Sequence, residues 1–528
     1  MSKRMKPGEA SADEPLESLP GRLPRRDDHV RVQVVGVDDD GLGFGFLSGY
    51  LTGGPQGFVA KIAVREGLPG DQVVAHVTSR RAGVVIATIV KLEIPSPDRV
   101  APFCRYAEAG FEDGIPRKGT SCGGCTIQGL SYAGQLAAKK ARIEYLLSEA
   151  EHCDVPVAEP IGAELRQGHR HKMEYSFGWD LDGRLVAGLH PRGYRWEVID
   201  LEGCPMISEA GFAMVRAVTA ASRVMGLKAR DERKDAGWLE IIVIRESRRF
   251  TVDGGPTRLI EIGTTDTDVV DTISGPRTPA EVAAELGRVL AGQPGISGVL
   301  WTARRAKRGE RTSRKTTVLS GEGYLPEVMA LPGGRSLDLR ISPQAFFQPH
   351  PRQAELIMAR IVAHLEALGT TLGRAPHVVD LYCGTGILGL ALAPFAASVV
   401  GVELVEEAVE DARANAIRNN LTNITFIAGD VGKVLADPDH AASFVTVDAV
   451  VVDPPRAGLM TAAMAHLASL NAGLLIYVSC NPASLARDIE PLGELGYRLD
   501  GPLLPVDLFP HTHHIETLAV FRRDVVAA

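Results

Sequence analysis

From Ile341 onward, five short apolar runs, VVDLY, SVVGVEL, ITFIAGD, DAVVVD and LLIYVS, recur with helical patterns between them. Strands covered on both faces read as unbroken apolar runs, and a parallel return needs a crossover, usually a helix. The alternation therefore commits residues 341–528 to a doubly wound parallel α/β sheet. A chain of 528 residues exceeds what one core usually supports, so this sheet is one domain among several.

The rest of the chain divides by pattern. Residues 1–28 are rich in Pro, Glu, Ser and Arg, lack an apolar stretch of signal-peptide type, and read as a disordered tail. Over 29–95, Val30, Val32 and Val34 alternate with polar residues, as do Val73, Ala75 and Val77, with a turn at Pro69-Gly70-Asp71. Glycines at 41, 43, 45, 53, 54 and 57 mark bends, which predicts a small β-barrel decorated by Lys61, Arg65, Arg80, Arg81 and Lys91. Residues 96–340 mix helix signals with short strands. Ser131 precedes Leu136, Ile143, Leu146 and Leu147, and Thr278-Pro279-Ala280-Glu281 is a capping box. Met173 to Trp179, Leu185 to His190 and Glu240 to Ile244 read as strands, giving an α+β domain.

Charge narrows the possible partners. The formal net charge of -8 supplies no global basic field, so nucleic-acid binding must use local patches such as the basic run from Arg304 to Lys315. No apolar run approaches the roughly eighteen residues that a membrane span requires. A cytoplasmic chain with no membrane partner is expected.

Asp380-Leu381-Tyr382-Cys383-Gly384-Thr385-Gly386 ends the first of the five strands and runs into an apolar helix. Its glycines let the backbone turn tightly and approach a ligand. Gly384, Gly386 and Gly389 also satisfy G-x-G-x-x-G, so the loop alone leaves NAD and S-adenosylmethionine both open. In either case Glu403, at the end of the second strand, is placed to hold ribose hydroxyls.

The fourth strand ends in Asp453-Pro454-Pro455-Arg456-Ala457-Gly458 and the fifth in Ser479-Cys480-Asn481-Pro482. With these, DLYCGTG, DPPRAGL, SCNPASLARD and DLFPHTHHIET, the chain resembles the RNA 5-methyluridine methyltransferase family. ISPQAFFQP resembles the same family's S-adenosylmethionine-contacting SPxxFFQ segment, although Pro349-His350 stands where the family continues with Val-Asn. DGLGFGF and LPGDQVVAHV resemble a TRAM domain, an OB-type RNA-binding barrel. The resemblance implies cofactor contacts at Gln348, Tyr382, Gly384, Gly386, Glu403, Asp430 and Asp453. It also implies a nucleophile at Cys480 and a base at Glu516. The chemistry explains why both are needed: carbon 5 of uracil attacks a methylsulfonium only after a thiolate has added to carbon 6, and a base must then remove the carbon 5 proton. Such a base is reached by flipping it out of an RNA loop.

Seven cysteines in a reducing compartment point to metal ligation, catalysis or packing rather than disulfides. Cys122 and Cys125 form C-x-x-C, and Cys104 and Cys204 complete a four-thiolate set for zinc or an iron-sulfur cluster, with Cys153 a substitute for Cys104. Resemblance to the cluster-bearing branch favours [4Fe-4S], and that branch favours ribosomal over transfer RNA as partner. Cys383 is expected to pack in the glycine loop, and His511, His513 and His514 are assigned no metal. The expected architecture is a TRAM barrel, a central α+β domain with a cysteine cluster, and a C-terminal Rossmann-like methyltransferase domain, in a monomer. Three alternatives stay open. One is methylation of an exocyclic amine, against which Arg456 stands where an aromatic residue would stack the base. The others are an RNA-binding assembly factor with an inactive methyltransferase domain and a nicotinamide oxidoreductase.

Overall fold

The structure is a computed structural model that describes residues 23–49, 58–107, 111–112, 115–116, 121–180, 182–192, 194, 196–250, 256–305 and 312–523. Most of the expected tail, the glycines at 53, 54 and 57, and residues 306–311 of the basic run lie outside the described residues. Two compact units are present: Met1–Arg142 with His511–His513, and Ile143–Pro510 with His514–Ala528. The division falls inside the helix Tyr132–Glu149.

In the first unit, six strands form one mixed sheet. In spatial order they are His29–Gln33, Gln72–Arg81, Val84–Ile94, Phe58–Arg65, Gly43–Gly49 and Gly36–Val37. Alternation does what the pattern requires: Val30, Val32, Val73, Ala75 and Val77 are all buried in a shared core. Asp27 and Asp28 already pair with Val77 through main-chain hydrogen bonds of 2.9 and 2.8 Å, so the ordered sheet begins before His29. Asp71 in the predicted turn is fully buried and accepts from the amides of Leu68 and Ser96 and from two nitrogens of Arg99 at 3.0 and 2.9 Å. A buried carboxylate with four donors locks the turn.

Among the described residues the second unit holds two large sheets and two two-stranded ones. The first has seven strands in the order Ile199–Asp200, Leu185–Leu189, Lys172–Trp179, Leu239–Phe250, Pro256–Thr265, Ile296–Arg305 and Ser313–Gly321. Helices Glu209–Val224 and Pro279–Ala291 accompany it, and the second starts at the capping box on Thr278 and Glu281. The hairpin Leu325–Leu331/Arg335–Ile341 and the helix Pro351–Leu372 share one apolar cluster with the second sheet.

That second sheet contains β1 (His377–Leu381), β2 (Ser398–Glu403), β3 (Ile424–Ala428), β4 (Ala449–Val452), β5 (Leu474–Ser479), β6 (Arg498–Leu499), β7 (Leu504–Val506) and β8 (Glu516–Arg522). Its order is β3-β2-β1-β4-β5-β8-β6, with β7 also paired to β8. The first five strands run parallel and β8 antiparallel. Every residue of β4 and β5 is buried, as expected for strands covered on both faces. The strand order reverses direction at β1, which opens a crevice at the carboxyl ends of β1 and β4.

Candidate active site

The first wall of that crevice is the loop after β1. Tyr382, Gly384 and Gly386 take φ values of 62, 54 and 73°, so the chain turns sharply at three of five positions. A Cβ on Gly386 would come within 2.6 Å of the Phe426 ring, whereas one on Gly384 would meet nothing within 4 Å. One glycine is needed for packing and the other faces open space. Glu403, half-buried at the end of β2, accepts from the amides of Gly384 at 3.0 Å and Val405 at 2.9 Å. Asp380 is fully buried and accepts from the Gly389 amide at 2.8 Å through one oxygen, while its other oxygen has no partner among the described residues. Burial, aided by the charges of Asp453 and Glu403, pushes its carboxyl up to about 8. Asp430 caps the helix Val431–Ala436 by accepting from the Lys433 amide at 3.1 Å.

Sheet register builds the second wall. Leu381 pairs with Val452, Val452 with Tyr477, and Tyr477 with Ala519. Ser479 pairs with Thr517, so Cys480 leaves β5 where Glu516 enters β8. Asp453 follows β4 directly, and its amide donates to Leu381 O at 3.3 Å. The loops after β4 and β5 brace each other: Asn481 Nδ2 donates to Arg456 O at 2.7 Å, and Asn481 Oδ1 caps the helix Pro482–Glu494. Asp488 of that helix accepts from the Leu459 amide and from the Tyr477 hydroxyl, both at 2.8 Å. The Arg456 guanidinium lies 3.4 Å from the His514 ring nitrogens.

The electrostatics tie these groups together. Glu516 is buried, has one oxygen without a partner among the described residues, and is held well above the usual carboxylate range by burial and by Asp453. Asp453 is pushed up to about 7 by burial. The half-buried Cys480 thiol is pushed up to about 11 by burial, then by the charges of Glu516 and Asp453, against the opposing pull of Arg456. Carboxyls strained in this way favour a cationic ligand, which would restore their charged forms. A thiol, a carboxyl and an open glycine turn at one sheet edge can perform nucleophilic addition and proton transfer beside such a ligand.

A family model described as tRNA (uracil-5-)-methyltransferase matches residues 310–524. An uncharacterised RNA methyltransferase of Caldanaerobacter subterraneus is 32% identical over 497 residues, which span 94% of this chain and 98% of that protein. The chain belongs to the RNA uracil-5 methyltransferase family. A second relative, from Protochlamydia amoebophila, is 33% identical across 86% of this methyltransferase and 98% of its own length. In fold, the chain is similar to the Pyrococcus abyssi tRNA (uracil-54, C5)-methyltransferase solved with S-adenosyl-L-homocysteine. That likeness has a TM-score of 0.64, 23% identity, and covers 93% of this chain and 100% of that one.

Not every expected residue converges. Among the described residues, no three His, Cys, Asp or Glu side chains gather to hold a metal ion. Cys104, Cys122 and Cys125 belong to the first unit and Cys204 to the second. The Cys122 sulfur accepts from the Gly124 amide at 3.4 Å, and the Cys104 amide donates to Gln128 Oε1 at 2.9 Å. Parts of the long interval between Cys104 and Cys122 lie outside the described residues, and the described ones lend the four-thiolate expectation no support. Cys383 is buried, its thiol held well above the usual range. His511 and His513 are engaged within the first unit: His513 contacts Thr126 Oγ1 at 3.1 Å and Asp39 O at 3.0 Å, and His511 contacts Gln135. Pro349-His350 does not loosen the segment after Phe347, because His350 is buried with Nε2 2.9 Å from Leu165 O. Sequence reasoning missed Asp380, Asn481, Asp488 and His514 as members of the site. Asp380 had a signal, since it opens the glycine loop at a strand end.

Proposed function

We propose that this methyltransferase puts a methyl group on carbon 5 of a uridine in RNA through a covalent bond between Cys480 and carbon 6 of the base. The observation that carries the reading is the placement of Cys480 between Asp453 and Glu516 at one edge of the sheet. S-adenosylmethionine would supply the methyl group as a sulfonium cation. Gln348, Tyr382, Gly384, Gly386, Glu403, Asp430 and Asp453 would hold it: Gly384 by leaving open space, Gly386 by letting the turn pack against Phe426, Glu403 and Asp453 by charge and hydrogen bonding. Cys480 gives up its proton to solvent and the resulting thiolate adds to carbon 6, so carbon 5 gains enolate character. Once carbon 5 is methylated, Glu516 takes its proton, the double bond re-forms, and the thiolate leaves. Burial raises the proton affinity of Glu516, which makes it the stronger base once its carboxyl is ionised.

In the same reading the six-stranded N-terminal sheet is a TRAM barrel that grips flanking RNA, and ribosomal RNA is favoured over transfer RNA. The protein acts as a cytoplasmic monomer. Among the described residues no helix is long and apolar enough to cross a membrane. A [4Fe-4S] cluster, with zinc the alternative, rests on the C-x-x-C spacing and the accompanying thiols, and no step passes through it. About four iron and four sulfide per chain in anaerobically purified protein would support the cluster, and a colourless protein without iron would remove it. Mapping 5-methyluridine in RNA from a strain lacking the gene identifies the substrate.

Two substitutions test the mechanism. Cys480→Ala removes the sulfur, so neither methyl transfer nor a covalent protein-RNA species is expected. Glu516→Gln leaves addition and methyl transfer possible but not proton removal, so a methylated adduct that survives denaturing electrophoresis is expected. Turnover by Cys480→Ala sinks the proposal.

A further inference from the structure

The strand Leu239–Phe250 buries a guanidinium: Arg245 is 2% exposed, between the fully buried Ile244 and the buried Glu246, whose carboxylate is taken by Arg258. Burying a guanidinium is costly unless its donors are used, and here no carboxylate among the described residues is hydrogen-bonded to it. Instead Nη2 donates to Pro343 O at 2.9 Å and Ala345 O at 2.8 Å, while Nε and Nη1 find no partner among the described residues. Both carbonyls belong to the irregular segment Ser342-Pro343-Gln344-Ala345-Phe346-Phe347-Gln348.

The same segment is held from two other directions. The His171 amide donates to Pro349 O at 3.0 Å, and the His171 ring sits 4.3 Å from the Phe347 ring. From the other side, Thr385 of the glycine loop donates to Phe346 O at 3.2 Å. Main-chain oxygens at 343, 345, 346 and 349 are therefore all pinned, which fixes the path of an irregular stretch that no helix or strand would hold. Phe346 is exposed and Gln348 half-buried on that path.

We propose that Arg245 is a positioning residue for the cofactor: by clamping the carbonyls of Pro343 and Ala345 it sets Gln348 against the glycine loop. The central sheet thereby contributes to cofactor affinity without touching the cofactor. The inference rests on the reading that Gln348 contacts S-adenosylmethionine.

The test measures affinity for S-adenosylhomocysteine, thermal midpoint and RNA affinity in the full chain. Arg245→Met keeps the bulk and removes the donors. The substitution relieves the cost of burying the charge but leaves the Pro343 and Ala345 carbonyls without their donor, so affinity is compared well below the midpoint of either protein. The expected result there is an affinity about ten- to a hundred-fold weaker, with RNA affinity within about two-fold. Arg245→Lys, whose ammonium lacks the planar fork of the guanidinium, should recover part of the loss. Gln348→Ala separates the two layers. If it leaves affinity unchanged, the reading of the segment fails. If it weakens binding while Arg245→Met does not, the positioning role fails. A lower midpoint with normal affinity marks a structural role and overturns the inference. Should Arg245→Met not fold, the lysine variant decides: unchanged affinity there overturns the proposal, and a roughly five-fold loss supports it.

Discussion

At the scale of the residue, the site is defined by groups held away from their ordinary protonation. A thiol pushed up to about 11 is ionised to only about one part in ten thousand at pH 7. Alkylation of Cys480 by iodoacetamide, followed by peptide mass spectrometry, should therefore rise close to tenfold per pH unit from pH 7 to about 9.5 without levelling. Glu516→Gln removes a carboxylate that opposes ionisation, so its rates should be higher throughout that range. A plateau below about pH 9 in the parent protein contradicts the assignment. The two loop glycines make a second contrast. Gly386→Ala must fit a Cβ 2.6 Å from Phe426 and 2.8 Å from Ala412 at a φ of 73°, and should lower stability by about 3 kcal/mol or more. Gly384→Ala meets only the cost of its left-handed backbone, about 1 kcal/mol, yet its methyl group enters the open space where the ligand would lie. Thermal unfolding should single out the first, and cofactor titration should register the second.

At the scale of the element, β1 and its loop carry a pH dependence of their own. The Asp380 carboxyl is raised from near 4 to about 8, so the folded state holds a proton that the unfolded chain gives up earlier. Its contribution is fully present below about pH 4 and declines as pH rises toward 8, by up to about 1.4 kcal/mol per pH unit. Asn can still accept from the Gly389 amide and cannot ionise, so Asp380→Asn should flatten the fall in thermal midpoint between pH 5 and pH 8. Parallel slopes in the two proteins would sink that account. The elements were legible where burial leaves a pattern in the chain. The runs DAVVVD and LLIYVS became β4 and β5 because a strand covered on both faces can carry nothing but apolar side chains. The capping box at Thr278 is likewise local, since residues three apart close it. Arg245 left no such trace: its partners are carbonyls about a hundred positions away, and a main-chain oxygen is the same in every sequence. Asp488 escaped for a similar reason, because only the packing of its helix brings it to Tyr477.

At the scale of the whole molecule, a chain with a formal charge of -8 must collect a polyanion with a few exposed cations. In its described part the basic run from Arg304 to Lys315 belongs to a pair of strand ends, Ile296–Arg305 and Ser313–Gly321, paired antiparallel with Arg305 opposite Ser313 and Ala303 opposite Lys315. Not all of its charge is available. Arg304 is committed to Glu240 through two bonds of 2.7 and 3.0 Å, and Arg314 donates to Gln344 at 3.0 Å. Arg305 and Lys315 are exposed and carry no such bond among the described side chains, which makes them the cations best placed to meet phosphates. Each phosphate contact releases about one counterion, so affinity depends on salt in proportion to the number of contacts. For the double variant Arg305→Ala, Lys315→Ala, the slope of log affinity against log salt should fall in magnitude by between one and two, while affinity for S-adenosylhomocysteine stays the same. A substrate gripped only by the N-terminal sheet would leave that slope untouched. Binding isotherms at four salt concentrations are enough to tell the two arrangements apart.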